Sequence, residues 1–265
     1  MKLIVIPPYN NPEVNMGYVI SDLLEKLKKR NGFEEDEIDM DEGQLLESQS
    51  HERNAAFLAK ITPGFLEKVK FYSESGVYDA IASSGFLDPG FEAARTFAKI
   101  PVAGALHSSL HMASLIGKRA SVITGTIPLA HAGRQIADSY GLGHKLVSLR
   151  PYGHSTTELF KLIDQYEDHV FDTSEAERIS ENIVQQCVTA IETDRADALI
   201  LGCEPTEFWG EEIRRRLDAK GYEEIPLIAP TLASIQMAKS MAAMQLKQTP
   251  RAYPTDDLKA KPEYA

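Results

Sequence analysis

The residue with the clearest capacity for chemistry is Cys203, one of only two cysteines in this chain of 265 residues. An apolar run ends at Gly202 and leads directly into Cys203, and Pro205 favours the first turn of a helix. A thiol at a helix N-terminus faces the positive end of the helix dipole. We therefore expect its pKa to be lowered, which readies it for proton transfer. A buried structural cysteine is the alternative, and the local pattern fits it equally well.

Two further apolar runs end in hydroxyl groups and a glycine. One ends near Ser83 and continues as Ser84-Gly85-Phe86, and the other ends in Thr124-Gly125-Thr126. Both are candidate binding loops, because backbone beside a glycine approaches a ligand closely and hydroxyls hydrogen-bond carboxylate oxygens. An ordinary polar turn is the competing interpretation of each. Asp88, after the first run, is better explained as a helix N-cap.

Histidines and the second cysteine give weaker signals. His107 and His111 lie four residues apart and share a face if one helix carries both. A metal pair is an alternative for them, but no third ligand stands at a recognisable spacing, and we expect no metal or organic cofactor. Cys187 lies within a helical pattern and is assigned to packing. The sequence lacks a phosphate-cradling glycine motif, a serine nucleophile elbow and a dinucleotide fingerprint.

The scaffold for these residues alternates short apolar runs with longer amphipathic ones. Strands are predicted at 3–6, 79–83, 101–103, 120–124, 145–149, within 194–201 and at 225–228, and helices at 17–30, 89–99, 108–116, 129–140, 207–220 and 232–244. This alternation predicts an α/β fold with parallel sheets buried on both faces. In such folds, functional sites lie at the carboxyl ends of the strands.

The order of the elements predicts two Rossmann-like lobes, each a parallel sheet flanked by helices, with the active site in the cleft between them. Residues 1–117 and 227–265 form the first predicted lobe, and residues 118–226 the second. The acidic segment 33–49 is interpreted as a solvated surface loop. The polar segment 247–265 is interpreted as a surface tail.

Composition excludes several classes of partner. The formal net charge of −11 gives no general attraction for nucleic acid or anionic membranes. No apolar run approaches the roughly 20 residues that span a bilayer, and the apolar start is too short for a signal peptide. With two cysteines a disulfide scaffold is excluded, and we expect a reduced, cytoplasmic setting.

Three stretches, taken in order, resemble the aspartate/glutamate/hydantoin racemase superfamily. They are Asp79-Ala80 through Asp88-Pro89-Gly90 with Ala93-Ala94-Arg95, then Pro101-Val102-Ala103-Gly104 with His111-Met112-Ala113, and finally Ala198 through Cys203. The resemblance covers most of the chain apart from residues 33–51 and the tail. It implies a cofactor-independent enzyme that acts at the α-carbon of a small carboxylic acid or amide, with a homo-oligomer as one form of assembly.

In that superfamily two cysteines face each other across the α-carbon, one removing a proton and the other delivering one. By the resemblance, the second cysteine position is Cys203, whereas the first falls on Gly85. This arrangement is similar to arylmalonate decarboxylase, in which a lone cysteine protonates an enediolate formed by decarboxylation. The superfamily's Asn-Pro-Asn-Thr-Ser is replaced here by Pro7-Pro8-Tyr9-Asn10-Asn11, so the substrate end also departs from the pattern.

The shared chemistry passes through a planar enediolate or carbanion, whose charge must be held by pre-placed donors. We assign Cys203 as proton donor and acceptor, and His107 as a second base or a residue that orients the substrate. The predicted substrate-binding residues are Asn10, Ser84, Gly85, Phe86, Thr124, Gly125, Thr126 and Glu204. A racemase or isomerase is the first hypothesis. A decarboxylase or other lyase, and a non-catalytic protein that binds small acids, are the alternatives.

Overall fold

The computed structural model describes residues 1–11, 13–14, 16–29, 33, 35–46 and 53–254. The strands are β1 (Lys2–Ile6), β2 (Glu37–Met40), β3 (Ala80–Ser83), β4 (Val102–Ala103), β5 (Ala120–Thr124), β6 (Leu146–Pro151), β7 (Ala198–Leu201) and β8 (Leu227–Ile228). The helices are α1 (Met16–Lys28), α2 (Ala55–Glu74), α3 (Phe91–Phe97), α4 (Ala105–Ile116), α5 (Ile127–Ser139), α6 (Thr156–Tyr166), α7 (Ser174–Glu192), α8 (Glu204–Phe208), α9 (Gly210–Asp218) and α10 (Pro230–Ala243).

The strands form two parallel sheets with the same order of elements. The first sheet has the order β2-β1-β3-β4, and the second has the order β6-β5-β7-β8. In the first sheet Leu3 pairs with Ala80, and in the second Ala120 pairs with Ala198. The predicted α/β fold of two parallel sheets flanked by helices is therefore confirmed.

The two central strands of each sheet are buried on both faces. Every residue of β3, β5 and β7 is buried, as is all of β1 after its first residue. Helices cover both sides of each sheet, so continuous apolar runs are favoured over alternating ones. This burial makes the frame rigid and sets the carboxyl ends of the strands in fixed positions.

The last helix returns to the first sheet. Helix α10 packs against β3 and against α4, the helix that follows the first sheet. Strand β8 pairs with β7, so the second sheet extends to Ile228, two residues beyond the end of the second predicted lobe. Residues 247–254 form turns and irregular structure, and the rest of the predicted tail lies outside the described residues.

The acidic segment 33–49 is not the surface loop that the sequence predicts. It contains strand β2, and Phe33 and Ile38 pack into the core of the first sheet. Asp41 is also buried, where its carboxylate accepts hydrogen bonds from Lys68 at 2.9 Å and from Tyr72 at 2.5 Å. The acidic composition of the segment suggested a loop, but β2 is an edge strand in which alternate residues, Ile38 and Met40, are apolar. Residues 47–49 of this segment lie outside the described part of the chain.

Two helices were absent from the predicted elements, and both begin at a residue that caps them. Asn54 accepts a hydrogen bond from the Phe57 N–H at the start of α2. Ser155 and Glu158 form a reciprocal capping box at the start of α6. No helix in the described part of the chain is both long enough and apolar enough to cross a membrane.

Candidate active site

Cys203 lies just after β7, at the N-cap position of α8, and is 3% exposed. Its Sγ is 3.0 Å from Thr206 Oγ1, one helical turn further along. The hydroxyl of Tyr152 lies 4.0 Å from the same Sγ and 2.7 Å from Thr206 Oγ1. The thiol is thus fixed by hydroxyl groups that belong to the second sheet and its flanking helix.

The pKa of Cys203 is not lowered as its helix N-terminal position predicts. Burial raises it, because an ionised sulfur loses its hydration in this setting. Hydrogen bonding to Thr206 acts in the opposite direction, whereas the neighbouring charge of Glu204 raises the pKa further. Helix α8 has only five residues, so its dipole is too weak to reverse these effects. Cys203 is therefore a protonated thiol at neutral pH.

Gly85 is the counterpart of Cys203 on the first sheet. Gly85 follows Asp79 by six residues, and Cys203 follows Asp197 by six residues. Both aspartates precede the equivalent strands of their sheets, β3 and β7. A Cβ added to Gly85 would lie 2.9 Å from Cγ of Pro8, so the proline ring occupies the place of a side chain there. The φ angle of Gly85 is outside the left-handed region, so the backbone itself accepts an L residue.

Both strand ends open onto one cavity of about 40 Å³. It is lined by Pro8, Tyr9, Arg53, Phe57, Leu58, Ile61, Gly85, Phe86, Leu87, Pro89, Leu129, Thr156, Cys203 and Glu204. Four of the predicted site residues therefore share this cavity: Cys203, Gly85, Phe86 and Glu204. Small-molecule sites commonly have volumes of roughly 300–1,000 Å³, so a substrate enters only when side chains of the wall move.

Glu204 is a buried carboxyl beside the thiol, and it is 5% exposed. Burial raises its pKa to about 7, against the opposing effects of its own backbone N–H, Ser84 and the positive charge of Arg53. Its Oε1 and the Ser84 hydroxyl oxygen are both buried without a hydrogen bond of normal geometry among the described residues. These polar atoms are available to a bound molecule.

Tyr9 and Arg53 are two polar residues of the cavity wall that the sequence did not predict. The Arg53 guanidinium donates hydrogen bonds to the Tyr9 hydroxyl and, at 3.4 Å, to Thr157 Oγ1. It also lies over the ring of Phe57, 4.4 Å from its centroid. Tyr9 comes three residues after β1, and this strand end was the available signal. Arg53 has no local signal, because it reaches the site through the packing of α2 against the first sheet.

Three predicted residues lie at the end of β5, next to the cavity wall but outside its lining. Thr124 is fully buried, and its Oγ1 has no hydrogen-bond partner among the described residues. A Cβ on Gly202 would lie 2.8 Å from Cβ of Thr124, so this glycine allows β5 and β7 to end side by side. The Gly125 carbonyl accepts a hydrogen bond from the Gly153 N–H, and Thr126 begins α5 without a side-chain cap.

Asn10 lies in a different part of the first sheet. Its N–H donates to the Gln44 carbonyl at 2.7 Å, and its own carbonyl accepts from Leu46. It lines a separate cavity together with Asp41. These contacts tie the chain after β1 to the segment after β2, and they leave Asn10 outside the lining of the Cys203 cavity.

His107, predicted as a second base or a residue that orients the substrate, is also outside that lining. Its backbone N–H donates to Asp88 at 2.8 Å, and its ring packs against Phe91 and Tyr140. Asp88 therefore caps α4, whereas α3 begins after Gly90. Burial, together with the charge of Arg95, lowers the pKa of His107 to about 3. The imidazole ring is therefore neutral. It faces α3, because the hydrogen bonds from the start of α4 to Asp88 fix the rotation of that helix.

The His107 and His111 rings lie 4.5 Å apart between centroids. The described residues contain no group of three or more histidine, cysteine or acidic side chains arranged to hold a metal ion. Cys187 is buried within α7, and burial raises its pKa to about 12. Its thiol is packed among apolar residues in the core of the second sheet.

Comparison with known proteins gives matches over most of the chain. The model of the family described as Asp/Glu/Hydantoin racemase matches residues 45–238. The chain is 28% identical over 185 residues to a hydantoin racemase from Pseudomonas sp. (strain NS671). That alignment covers 70% of this chain and 66% of the relative, which is just under two thirds of the relative's length.

Solved structures share the whole fold at lower identity. Allantoin racemase from Pseudomonas fluorescens superposes with a TM-score of 0.76 at 20% identity, over 98% of this chain and 99% of that one. A variant of arylmalonate decarboxylase, with one glycine changed to cysteine and one cysteine to serine, gives a TM-score of 0.57 at 13% identity. This match covers 96% of this chain and 98% of the other.

Proposed function

The chain belongs to the Asp/Glu/hydantoin racemase family, and we propose that it is a racemase that inverts the α-carbon of a small cyclic amide of the hydantoin type. Cys203 exchanges a proton with that carbon. The observation that carries the proposal is the shared cavity: Cys203 and its counterpart Gly85 both line it, at the carboxyl ends of equivalent strands. The substrate carbon binds between these two positions.

The chemistry of the cavity wall supports the substrate class. Most of its side chains are apolar, among them Phe57, Phe86 and Leu129, so they favour a hydrophobic substituent on the α-carbon. The relatives named above act on hydantoin and allantoin, which are cyclic amides with an acidic C–H next to a carbonyl. A neutral ring of this kind avoids the cost of burying a carboxylate among apolar groups.

Removal of the α-proton leaves negative charge on the adjacent carbonyl oxygen. The Ser84 hydroxyl, after β3, and the Thr124 hydroxyl, at the end of β5, are buried without a hydrogen bond of normal geometry among the described residues. Once the cavity opens, they can donate hydrogen bonds to that oxygen, in a setting where water does not compete. The stabilisation is delivered by hydroxyls already fixed in place.

A deuterium-exchange experiment tests the proposal. Each enantiomer of 5-isobutylhydantoin is incubated with the protein in D₂O, and NMR and chiral chromatography follow the α-proton and the hand of the product. We expect exchange and inversion well above the uncatalysed rate, and no change after dialysis against a chelator, since we propose no metal or organic cofactor. Loss of activity on chelation that a divalent ion restores would contradict the cofactor-independent mechanism.

A decarboxylase is the second candidate, and one observation favours it. Cys203 is a protonated thiol, and Gly85 carries no side chain, so a carbanion formed by loss of CO₂ could be protonated on one face by Cys203 alone. The probe is 2-methyl-2-phenylmalonate. Release of CO₂ with a single enantiomer as product, together with no exchange on any hydantoin, would replace the racemase by a lyase.

A further inference from the structure

Glu204 follows Cys203 directly and lines the same cavity. We infer that the Glu204 carboxyl is the second acid–base group of the site and serves the face of the substrate carbon opposite Cys203. This inference rests on the proposed racemase function. It supplies the group that a racemase of this family needs where Gly85 offers no side chain.

The contacts of the two side chains separate them in space. The Cys203 thiol is held by Thr206 and Tyr152, which belong to the second sheet and its helices. The Glu204 carboxyl instead interacts with Ser84, the neighbour of Gly85, and with Arg53 at the start of α2. The carboxyl thus lies near Ser84, next in the chain to Gly85, where the thiol of a two-cysteine site would stand.

The backbone changes from strand to helix between the two residues. Cys203 has φ −176° and ψ 163°, an extended conformation, whereas Glu204 is the first residue of α8. Pro205 then fixes the first turn of α8. Glu204 is 5% exposed, and its Oε1 has no hydrogen-bond partner in the described part of the chain, so the oxygen is free to meet a substrate proton.

The two groups rest in complementary protonation states. Burial raises the pKa of Glu204 to about 7, so a large fraction is carboxylate at neutral pH, whereas burial keeps Cys203 as a thiol. One is therefore ready to accept a proton and the other to donate one. Neighbouring groups whose pKa values differ in this way are suited to opposite roles in one reaction.

The proton transfers balance as follows. The C–H bond breaks as Glu204 carboxylate takes the α-proton, and the electron pair passes into the planar enolate. The thiol of Cys203 then gives its proton to the opposite face of the carbon, which leaves a thiolate and a carboxylic acid. The other enantiomer binds to this form and reverses each step, or the carboxylic acid returns its proton to the thiolate through water.

The test uses Glu204→Gln, Cys203→Ser and both enantiomers of 5-isobutylhydantoin in D₂O. Each variant should lose inversion by on the order of 10²-fold or more. Glu204→Gln should still exchange the α-proton of one hand with retention, because the thiol of Cys203 remains. Cys203→Ser should do the same for the opposite hand, because the carboxylate remains.

Glu207→Gln is the matched control. Glu207 is a second buried carboxyl on α8, but it accepts hydrogen bonds from Thr231 and does not line the Cys203 cavity. Burial raises its pKa well above the usual range, and glutamine keeps the size of the side chain and an oxygen that accepts from Thr231. This control should stay within a few-fold of wild type.

The outcomes separate the two claims. If the wild-type protein exchanges neither enantiomer, both the racemase function and the role of Glu204 are contradicted. If the wild-type protein exchanges the α-proton and the Glu204→Gln variant still inverts both enantiomers, only the role of Glu204 is contradicted. Equal losses of exchange for both hands in Glu204→Gln would likewise mark Glu204 as a structural or binding residue.

The pH profile gives an independent readout. For the hand whose α-proton faces Glu204, kcat/KM should rise as pH increases through about 7, because the carboxylate is the active form. The charged and titratable groups that face Glu204 are Arg53, which favours the carboxylate, and Glu207, Cys203 and Tyr9, which oppose it when ionised. In Glu204→Gln this rise should be absent, and residual exchange should increase only at alkaline pH as the thiolate forms.

Discussion

The two sheets have the same strand order, yet residues of different reactivity follow their equivalent central strands β3 and β7. In each sheet the strand that comes first in the chain, β1 or β5, lies in the centre. The aspartate before the next central strand, Asp79 or Asp197, accepts hydrogen bonds from the backbone at the start of that first strand. At the opposite ends of these strands, Cys203 stands on the second sheet and Gly85 on the first. The frame is repeated, whereas the reactive groups are not.

The difference lies in what fills the space after each strand. On the first sheet the Pro8 ring occupies the position that a side chain at Gly85 would take. On the second sheet the thiol of Cys203 is fixed by two hydroxyls, and the carboxyl of Glu204 lies near Ser84, which follows β3 of the first sheet. In the mechanism that we propose, one strand end therefore supplies both reactive groups, instead of one group from each sheet.

The largest expected effect comes from removing the thiol. Cys203→Ser should lower inversion by about 10³-fold, because a serine hydroxyl is a far weaker proton donor, and general acid–base groups contribute roughly 10²–10⁴-fold. Chiral chromatography of the product measures the loss. Cys187→Ser is the control, since this thiol is buried in the core and away from the cavity.

Comparable activity of Cys203→Ser and the control would contradict the asymmetry between the sheets. The melting temperature of both variants should be measured alongside activity. A loss confined to Cys203→Ser, with both proteins folded, assigns the effect to proton transfer.

A smaller effect is expected from making the two strand ends alike. Gly85→Cys places a thiol opposite Cys203, and Pro8→Ala removes the ring that a new Cβ would meet at 2.9 Å. In a Glu204→Gln background, these two changes should restore inversion by about tenfold, because the new thiol takes over the second face. Glu204→Gln with Pro8→Ala alone is the matched control.

The backbone permits this design, because Gly85 does not have a positive φ. A folded triple variant that inverts no faster than its control would show that Gly85 does not face the substrate carbon. The role of Cys203 would stand in that case, since it rests on the first comparison.

Much of the fold could be predicted from the sequence, because each buried strand is an apolar run joined to an amphipathic helix. The position of Cys203 was equally visible, since it follows such a run directly. Tyr9 and Arg53 were missed because they reach the cavity through tertiary packing. The direction of the Cys203 pKa shift was wrong for a similar reason: burial depends on the whole fold, whereas the helix dipole is local.

The smallest expected effect concerns the ends of the strands far from the cavity. Asp197 accepts hydrogen bonds from the N–H groups of Lys118, at 2.9 and 3.1 Å, and of Arg119, at 2.9 Å. Asp79, its counterpart, accepts from Lys2 alone among the described residues, at 2.8 Å, and is more exposed. Asp197→Ala should therefore lower the free energy of unfolding by about 1–2 kcal/mol, and Asp79→Ala by about 0.5 kcal/mol.

Urea denaturation of the two variants measures this difference, and deuterium exchange measures activity on the same samples. Activity should change by less than a factor of two in both, because these aspartates lie at the amino ends of β3 and β7, whereas the reactive groups lie at the carboxyl ends. Equal losses in the free energy of unfolding would mean that the number of hydrogen bonds accepted by each aspartate does not determine how much it stabilises the protein. A large loss of activity in either variant would mean that the frame and the reactive strand ends are coupled, because the hydrogen bonds of the amino ends would then control the geometry of the cavity.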